Sequence, residues 1–415
     1  MNLNLTHIIS FCKGVFHGNS TEFTASHISI DSRSLQNGSN TLFFAIKGQN
    51  HDAHLYLEEL IAKGVRYFVV EYIPEHLYEK ANFIIVENSL KALQQTAIGY
   101  RKQFDFPFVG ITGSNGKTIV KEWLNFLLSP NHLIVRNPKS YNSQVGVPLS
   151  ILAIEGNYDF GIFEAGISLP NEMSNLEHII QPKYGILTNI GSVHDEGFAN
   201  REAKIKEKIK LFENCFDIFL EKNAEIEVLL PENSQKHTWS FSDESANLFV
   251  SKKNENGKTE LTFKNAANTF SVNIPFSDEN SIENVITCVN FMLFLGEEIA
   301  FIQNRVSELY PVELRLQAKK GINNCLVIDD SYSVDYQSLK IALDFLEQQK
   351  LHDKKTIILS DIFTSGVAVE TLYNQVKQLL SKNKIERIIT IGETIGKQLN
   401  DLPNVISFAT TQEFL

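Results

Sequence analysis

The chain has 415 residues, 43% of them hydrophobic and 21% charged, with a formal net charge of −11. That length is too great for one ordinary core, and the acidic balance excludes a surface built to coat nucleic acid, though not a local cationic pocket. Four scattered cysteines (Cys12, Cys215, Cys288 and Cys325) with no Cys-x-x-Cys pair argue against disulfides and zinc, and no membrane span or signal peptide is evident, so a cytoplasmic protein is expected.

In chain order, His27–Ile30, Thr41–Ile46 and Tyr67–Val70 are predicted strands, and His54–Lys63 a helix closed by Gly64. From about residue 86 to 310 apolar runs alternate with helical patterns. Strands are expected at Phe83–Val86, Phe106–Ile111, Phe160–Glu164 and Tyr184–Asn189. Such alternation implies a mostly parallel sheet, where ligands gather at the carboxyl ends of strands. Residues 247–275 alternate apolar and polar around Asn256-Gly257, a hairpin signal, and Ser281–Leu295 reads as a helix. The last block starts near Pro311, with strands expected at Leu326–Asp329, Thr356–Leu359, Arg387–Ile391 and Val405–Phe408. Thr410-Thr-Gln-Glu413 is a capping box that should open a helix, so the natural polypeptide is expected to continue past Leu415.

The most informative segment is Val109-Gly-Ile-Thr-Gly-Ser-Asn-Gly-Lys-Thr118, with a predicted helix from Ile119 to Leu128. A strand, a glycine turn, Lys-Thr and a helix make a phosphate cradle. Glycines admit backbone N–H groups to phosphate oxygens, and the helix N-terminus adds partial positive charge. Lys117 can neutralise the terminal phosphates, and the Thr118 hydroxyl can hold Mg²⁺. The spacing is unusual, because Gly113 leaves two residues before Gly116-Lys117 and Gly110 leaves five.

Glu164 closes a predicted strand and is followed by Ala165-Gly166, which is where a Mg²⁺ ligand belongs beside such a loop. His194 follows the Tyr184–Ile190 segment and falls at the same sheet edge. It can ligate a second metal or touch a phosphoryl oxygen. Residues 201–212 form a charged amphipathic helix whose buried stripe is Ile205, Ile209 and Phe212. Of its later lysines, Lys208 lies nearest that stripe, and Lys206 and Lys210 point farther out. A partly desolvated lysine has a larger neutral fraction, and a neutral amine reacts with CO₂ to give a carbamate that can partner a metal. Asp329-Asp330 ends a strand and can accept ribose hydroxyls or adjoin the metal site. Lys139–Gln144 is a polar loop.

Together these segments resemble the ATP-dependent Mur ligase family, in its D-alanyl-D-alanine-adding branch, over essentially the whole chain. Gly110–Thr118 resembles the family's own phosphate loop, which accounts for the spacing. Ile30-Asp-Ser-Arg33 and Leu42–Gly48 resemble its UDP-binding region, Tyr141–Pro148 its Asn-Asn-x-Ile-Gly-Val-Pro segment, and Phe163–Gly166 with Leu187–His194 its metal-binding pair. Leu314-Arg-Leu316 and Asp329–Tyr332 match the opening of its last domain.

The resemblance implies an α/β, three-domain fold: 1–85 binding the UDP-substrate, 86–310 a central phosphate-loop ATPase with a parallel sheet, and 311–415 Rossmann-like and truncated. It implies ATP and Mg²⁺, with Thr118, Glu164, His194 and carbamylated Lys208 serving metal, and Lys117, Glu164, His194 and Lys208 as catalytic groups. Gly113, Ser114, Asn115, Gly116, Lys117, Thr118, Asn284, Arg315 and Asp330 would hold ATP. Ser32, Arg33, Gln49, Asn50, Asn142, Ser143 and Tyr332 would hold the peptide substrates, UDP-N-acetylmuramoyl-tripeptide and D-Ala-D-Ala. The chain departs from the family pattern at Ile119, Ser143, Thr287 and Ser333–Gln337. These departures resemble a branch fused to a following alanine racemase. No racemase sequence lies in this chain, so no pyridoxal phosphate site is expected in it. No nucleic-acid partner is expected. The rival readings are a cousin ligase, of Mur or folylpolyglutamate type, and a non-catalytic nucleotide-binding module of a fusion protein.

Overall fold

The computed structural model describes the chain apart from residues 1–2, 34–37, 39, 49–50, 191–197, 199, 256–257, 312–316, 323–324, 331–335, 337–338, 341, 344–345, 347–353, 363–367 and 384. The first sheet has five strands, with Thr41–Phe44 and Tyr67–Val70 at its centre and Val15–His17 at one edge. Both strands are buried along their whole length and mostly apolar, as strands covered on two faces must be.

Asn82–Ile85 pairs with Tyr67–Val70 and with Val15–His17, so this strand belongs to the first sheet and not to the central alternation suggested by its place in the sequence. Apolar patterning identifies a strand but not its neighbours. The expected helix over His54–Lys63 divides into a 3₁₀ turn, Ala53–Tyr56, and a short α-helix, Leu57–Ala62.

The central sheet has nine strands in the order Thr269–Ile274, Lys258–Lys264, Leu248–Glu255, Gln235–Ser240, Asp217–Glu221, Tyr184–Leu187, Phe108–Thr112, Phe160–Glu164, Ile134–Arg136. Every pairing is parallel except the two that involve Lys258–Lys264. The expected hairpin is antiparallel, with Glu255 opposite Lys258; its turn, Asn256-Gly257, lies outside the described residues.

Helix Ser89–Arg101 joins the first sheet to the second. Asn88 caps it by accepting from the Lys91 N–H at 2.8 Å. At its other end Arg101 stacks on Phe108 at 3.6 Å and donates to the Ile180 carbonyl at 2.9 Å. Burial pulls the Arg101 pKa down to about 10. A guanidinium over an aromatic face with its N–H groups bonded is the form in which such a charge is tolerated inside.

The last unit has three parallel strands, Thr356–Ser360, Arg387–Ile391 and Val405–Phe408, beside a two-stranded antiparallel ribbon of Gln317–Lys320 and Leu326–Asp329. Helices Val369–Lys382 and Glu393–Leu399 build its core around Tyr373 and Val376. The expected final helix forms at Thr411–Phe414. Thr410 accepts from the Glu413 N–H at 3.3 Å, and the Glu413 carboxylate reaches back to the Ala409 N–H at 2.8 Å.

Candidate functional site

Phe108–Thr112 ends at the carboxyl edge of the central sheet, and four residues separate it from helix Lys117–Leu128. The turn between them needs two glycines for different reasons. Gly113 has φ +148°, and a Cβ there would stand 1.9 Å from the Thr188 hydroxyl. Gly116 has φ +82°, and a Cβ would stand 2.3 Å from the Asn284 side-chain oxygen. Asn284, buried on helix Glu279–Phe294, therefore lies against the loop itself.

The next strand supports the loop from beneath. The Ser114 N–H donates to the Asn189 carbonyl at 2.8 Å, and the Asn115 N–H to the Asn189 side-chain oxygen at 2.9 Å. The Thr188 hydroxyl donates to the Asn115 carbonyl at 2.5 Å. Two of the loop's amides are thus spent on holding its shape. Lys117 folds back over the turn, its Nζ donating to the carbonyls of Gly113 at 2.9 Å and Ser114 at 3.1 Å.

Glu164, the last residue of Phe160–Glu164, is completely buried, and its Oε2 accepts from the Thr118 hydroxyl at 2.7 Å. The Ser140 hydroxyl lies 3.5 Å from that of Thr118. A carboxylate and a hydroxyl in contact at the base of a phosphate cradle are hard oxygen donors. They fit Mg²⁺, which keeps several waters and takes one or two protein ligands with the substrate's phosphates.

Lys208 is 1% exposed and its Nζ donates to the Gly113 carbonyl at 3.0 Å. The expected ranking of the later helix lysines is observed, with Lys206 and Lys210 55% and 35% exposed, but Lys204, which was not singled out, is as deeply buried as Lys208. Lys117, Thr118, Glu164, Lys208, Asn284 and residues 113–116 therefore come together in space.

Other expected residues stand elsewhere. Asn142 packs against Gly166, whose N–H donates to the Asn142 carbonyl at 2.9 Å. The Ser143 hydroxyl accepts from the Gly146 N–H, at the first residue of helix Gly146–Leu152, at 3.1 Å. Arg33 is 88% exposed and pairs with Asp31 at 2.9 Å, and this guanidinium holds the Asp31 carboxyl down to about 2. The Ser32 carbonyl accepts from Lys63 at 3.0 Å. Both belong to the first unit. Asp330 directly follows the antiparallel ribbon of the last unit. Gln49, Asn50, His194, Arg315 and Tyr332 lie outside the described residues.

The sequence reading quoted Thr188 and Asn189 only within longer segments such as Leu187–His194, without their supporting role, and missed Asn137 and Lys121. Asn137 is wholly buried; its amide donates to the carbonyls of Tyr141 at 2.9 Å and Glu164 at 3.1 Å and accepts from the Glu164 N–H at 3.0 Å. Lys121 is also wholly buried, on the apolar side of the loop helix with Val120, Leu124 and Leu128. A lysine set within such a stripe was the available signal.

A family model described as the Mur ligase middle domain matches residues 111–292. A UDP-N-acetylmuramoyl-tripeptide–D-alanyl-D-alanine ligase of Bacillus subtilis is 26% identical, over 93% of this chain and 84% of the relative. The ligase of that name from Borreliella burgdorferi is 30% identical, over 95% of this chain and 88% of the relative. The chain belongs to the Mur ligase family, in the UDP-N-acetylmuramoyl-tripeptide–D-alanyl-D-alanine ligase branch. As a member of that family it is an ATP-dependent ligase. The fold agrees. MurF of Acinetobacter baumannii superposes with a TM-score of 0.82 at 22% identity, covering 100% of this chain and 91% of the other. MurF of Thermotoga maritima, solved with ADP, gives 0.74 at 21% identity, covering 92% and 87%.

Proposed function

We propose that this ligase joins the amine of D-Ala-D-Ala to the terminal carboxylate of UDP-N-acetylmuramoyl-tripeptide at the expense of ATP, in peptidoglycan precursor synthesis. The observation that carries the reading is the Thr118–Glu164 contact of 2.7 Å directly beneath a lysine-tipped glycine loop. A carboxylate is a poor acylating agent until its oxygen becomes a good leaving group. The tripeptide carboxylate oxygen attacks the γ-phosphorus, the bond to ADP breaks, and an acyl phosphate results. The dipeptide's neutral amine then attacks the acyl carbon and inorganic phosphate leaves. The chain's part in phosphoryl transfer is positioning and charge neutralisation.

In this reading residues 113–118 and the helix N-terminus cradle the phosphates. Lys117 exchanges the two loop carbonyls for phosphate oxygens. Asn284, Arg315 and Asp330 contact the nucleotide, and Ser32, Arg33, Gln49, Asn50, Asn142, Ser143 and Tyr332 the peptide substrates. Thr118 and Glu164 would hold Mg²⁺, which when bound supplies positive charge to the transferring phosphoryl group. His194 and Lys208, the latter as its carbamate, would serve a second metal position. A carbamate nitrogen keeps one N–H, so the bond from Lys208 to the Gly113 carbonyl is compatible with it. Incorporation of ¹³CO₂ at Lys208, or rescue of Lys208→Ala by short carboxylates, tests the modification.

The reading also divides the chain into units of 1–85, 86–310 and 311–415, supported by the separate sheets. It places the enzyme in the cytoplasm, where its substrates are made; no described helix is long and apolar enough to cross a membrane. A racemase-bearing branch rests only on the departures at Ile119, Ser143, Thr287 and Ser333–Gln337. The deciding experiment is phosphate release from ATP. It is expected only when both the UDP-tripeptide and D-Ala-D-Ala are present; release with either substrate alone, or with a single amino acid in place of the dipeptide, contradicts the assignment.

A further inference from the structure

Lys121 lies one turn beyond Lys117 on the loop helix, yet its side chain has no exposed surface. Its ammonium donates to the Asn137 carbonyl at 2.7 Å and to the Lys139 carbonyl, and pairs with the Glu122 carboxylate at 3.2 Å. These contacts use all three donors of the group. Burial lowers its pKa, and the neighbouring carboxylates of Glu164 and Glu122 oppose that shift.

The residue it grips is unusual. Lys139 has φ +48°, a left-handed conformation that an L side chain keeps only when its surroundings enforce it. Directly after it comes Ser140, whose hydroxyl faces Thr118, and two residues further on Asn142, which packs on Gly166. On the other side of the grip, Asn137 is bonded to both backbone groups of Glu164. One buried cation thus ties the phosphate-loop helix to the polar turn and, through Asn137, to the strand that carries the acid.

We propose that Lys121 is a positioning residue for the ligation: its ammonium holds the left-handed turn at Lys139 so that Ser140 and Asn142 stay set against the Thr118–Glu164 edge where the acceptor carboxylate is activated. The proposal rests on the ligase reading for its functional part. A methionine of similar length leaves two carbonyls without their donor, and the turn relaxes.

The test compares Lys121→Met, Lys121→Gln and the double variant Lys121→Met with Lys139→Gly. Three quantities are measured: amide hydrogen exchange over residues 138–143, the affinity for a fluorescent ATP analogue, and kcat and KM for the UDP-tripeptide. Lys121→Met should speed exchange in that turn at least ten-fold and lower kcat/KM for the UDP-tripeptide at least thirty-fold, with nucleotide affinity within three-fold of the parent. Glycine adopts the turn without a brace, so the double variant should recover at least five-fold. Lys121→Gln keeps two of the three donors on a shorter side chain and preserves the comparison if the methionine variant does not fold. Unchanged exchange, a loss that falls wholly on nucleotide affinity, or no recovery in the double variant overturns the proposal. If the parent enzyme forms no amide at all, the ligase reading fails, while the exchange data and their reversal by glycine still decide the brace.

Discussion

In the parallel half of the nine-stranded sheet, Phe108–Thr112 and Phe160–Glu164 are buried along their whole length. In the antiparallel half, Thr269–Ile274 buries Phe270, Val272 and Ile274 and leaves the residues between them at least partly exposed. The difference follows from what covers each half. Parallel strands are reached by crossover helices and closed on both faces, so their few polar groups collect at the carboxyl ends and must satisfy one another there. Thr112, Thr118, Asn137, Glu164, Thr188 and Lys208 are such groups. The hairpin has one dry face and one wet face, and its polar residues lie mostly on the wet one; buried Thr259 is the exception and donates to the Phe276 carbonyl at 2.7 Å. Chemistry should therefore be concentrated in the first half and stability alone should reside in the second.

The sharpest way to break that contrast is at Lys117. Lys117→Met should lower turnover roughly 10³-fold or more, the scale of losing a charge that stabilises the transferring phosphoryl group. Its thermal midpoint should stay close to the parent's, because the Gly113 carbonyl, one of the two loop carbonyls that Lys117 bonds, keeps its bond from Lys208. The converse case is Leu261→Ala in the hairpin. Leu261 is completely buried, so the cavity should cost about 2–4 kcal/mol in denaturant unfolding while kcat per folded molecule is unchanged.

A smaller effect is expected at the seam between the halves. Glu283 sits between Glu221 of the parallel half and Lys252 of the hairpin. Burial first, then Glu221, Glu279 and Asp278, lift its pKa from 4.5 to about 7, against the pull of Lys252. The folded state therefore holds this proton more tightly than the unfolded chain does, and stability falls as pH rises from about 4.5 to 7. Glu283→Gln should be more stable than the parent by roughly 1–2 kcal/mol at pH 8, allowing for its partial exposure, with the gap closing toward pH 4.5. A gap that widens toward acid refutes the sign. Smallest of all is Thr262→Ala, which removes a 2.8 Å hydroxyl contact with Ser271 on the hairpin. It should shift stability by less than about 1 kcal/mol and leave catalysis untouched.

The same contrast explains what could be read from the sequence. Phe160–Glu164, Arg387–Ile391 and Val405–Phe408 match their predicted bounds because their signals are local: a short apolar run, closed by a turn. The phosphate loop was legible for the same reason. The sheet membership of Asn82–Ile85 was not, because pairing with Val15–His17 spans some seventy residues and leaves no mark on either segment. Lys121 and Lys204 were missed because charge argues for solvent, and both are wholly buried. Asn137 sits before a proline in what reads as a plain loop. Only the folded chain reveals that it joins that loop to Glu164.

The account turns on activation of a carboxylate at the Thr118–Glu164 edge, and oxygen transfer tests that most directly. With UDP-tripeptide carrying ¹⁸O in its terminal carboxylate, and with ATP and D-Ala-D-Ala supplied, the phosphate released should contain one labelled oxygen for each amide formed, because the carboxylate oxygen leaves as part of that phosphate. Amide formation with unlabelled phosphate would show that the carboxylate never bonds to phosphorus, and would contradict the account.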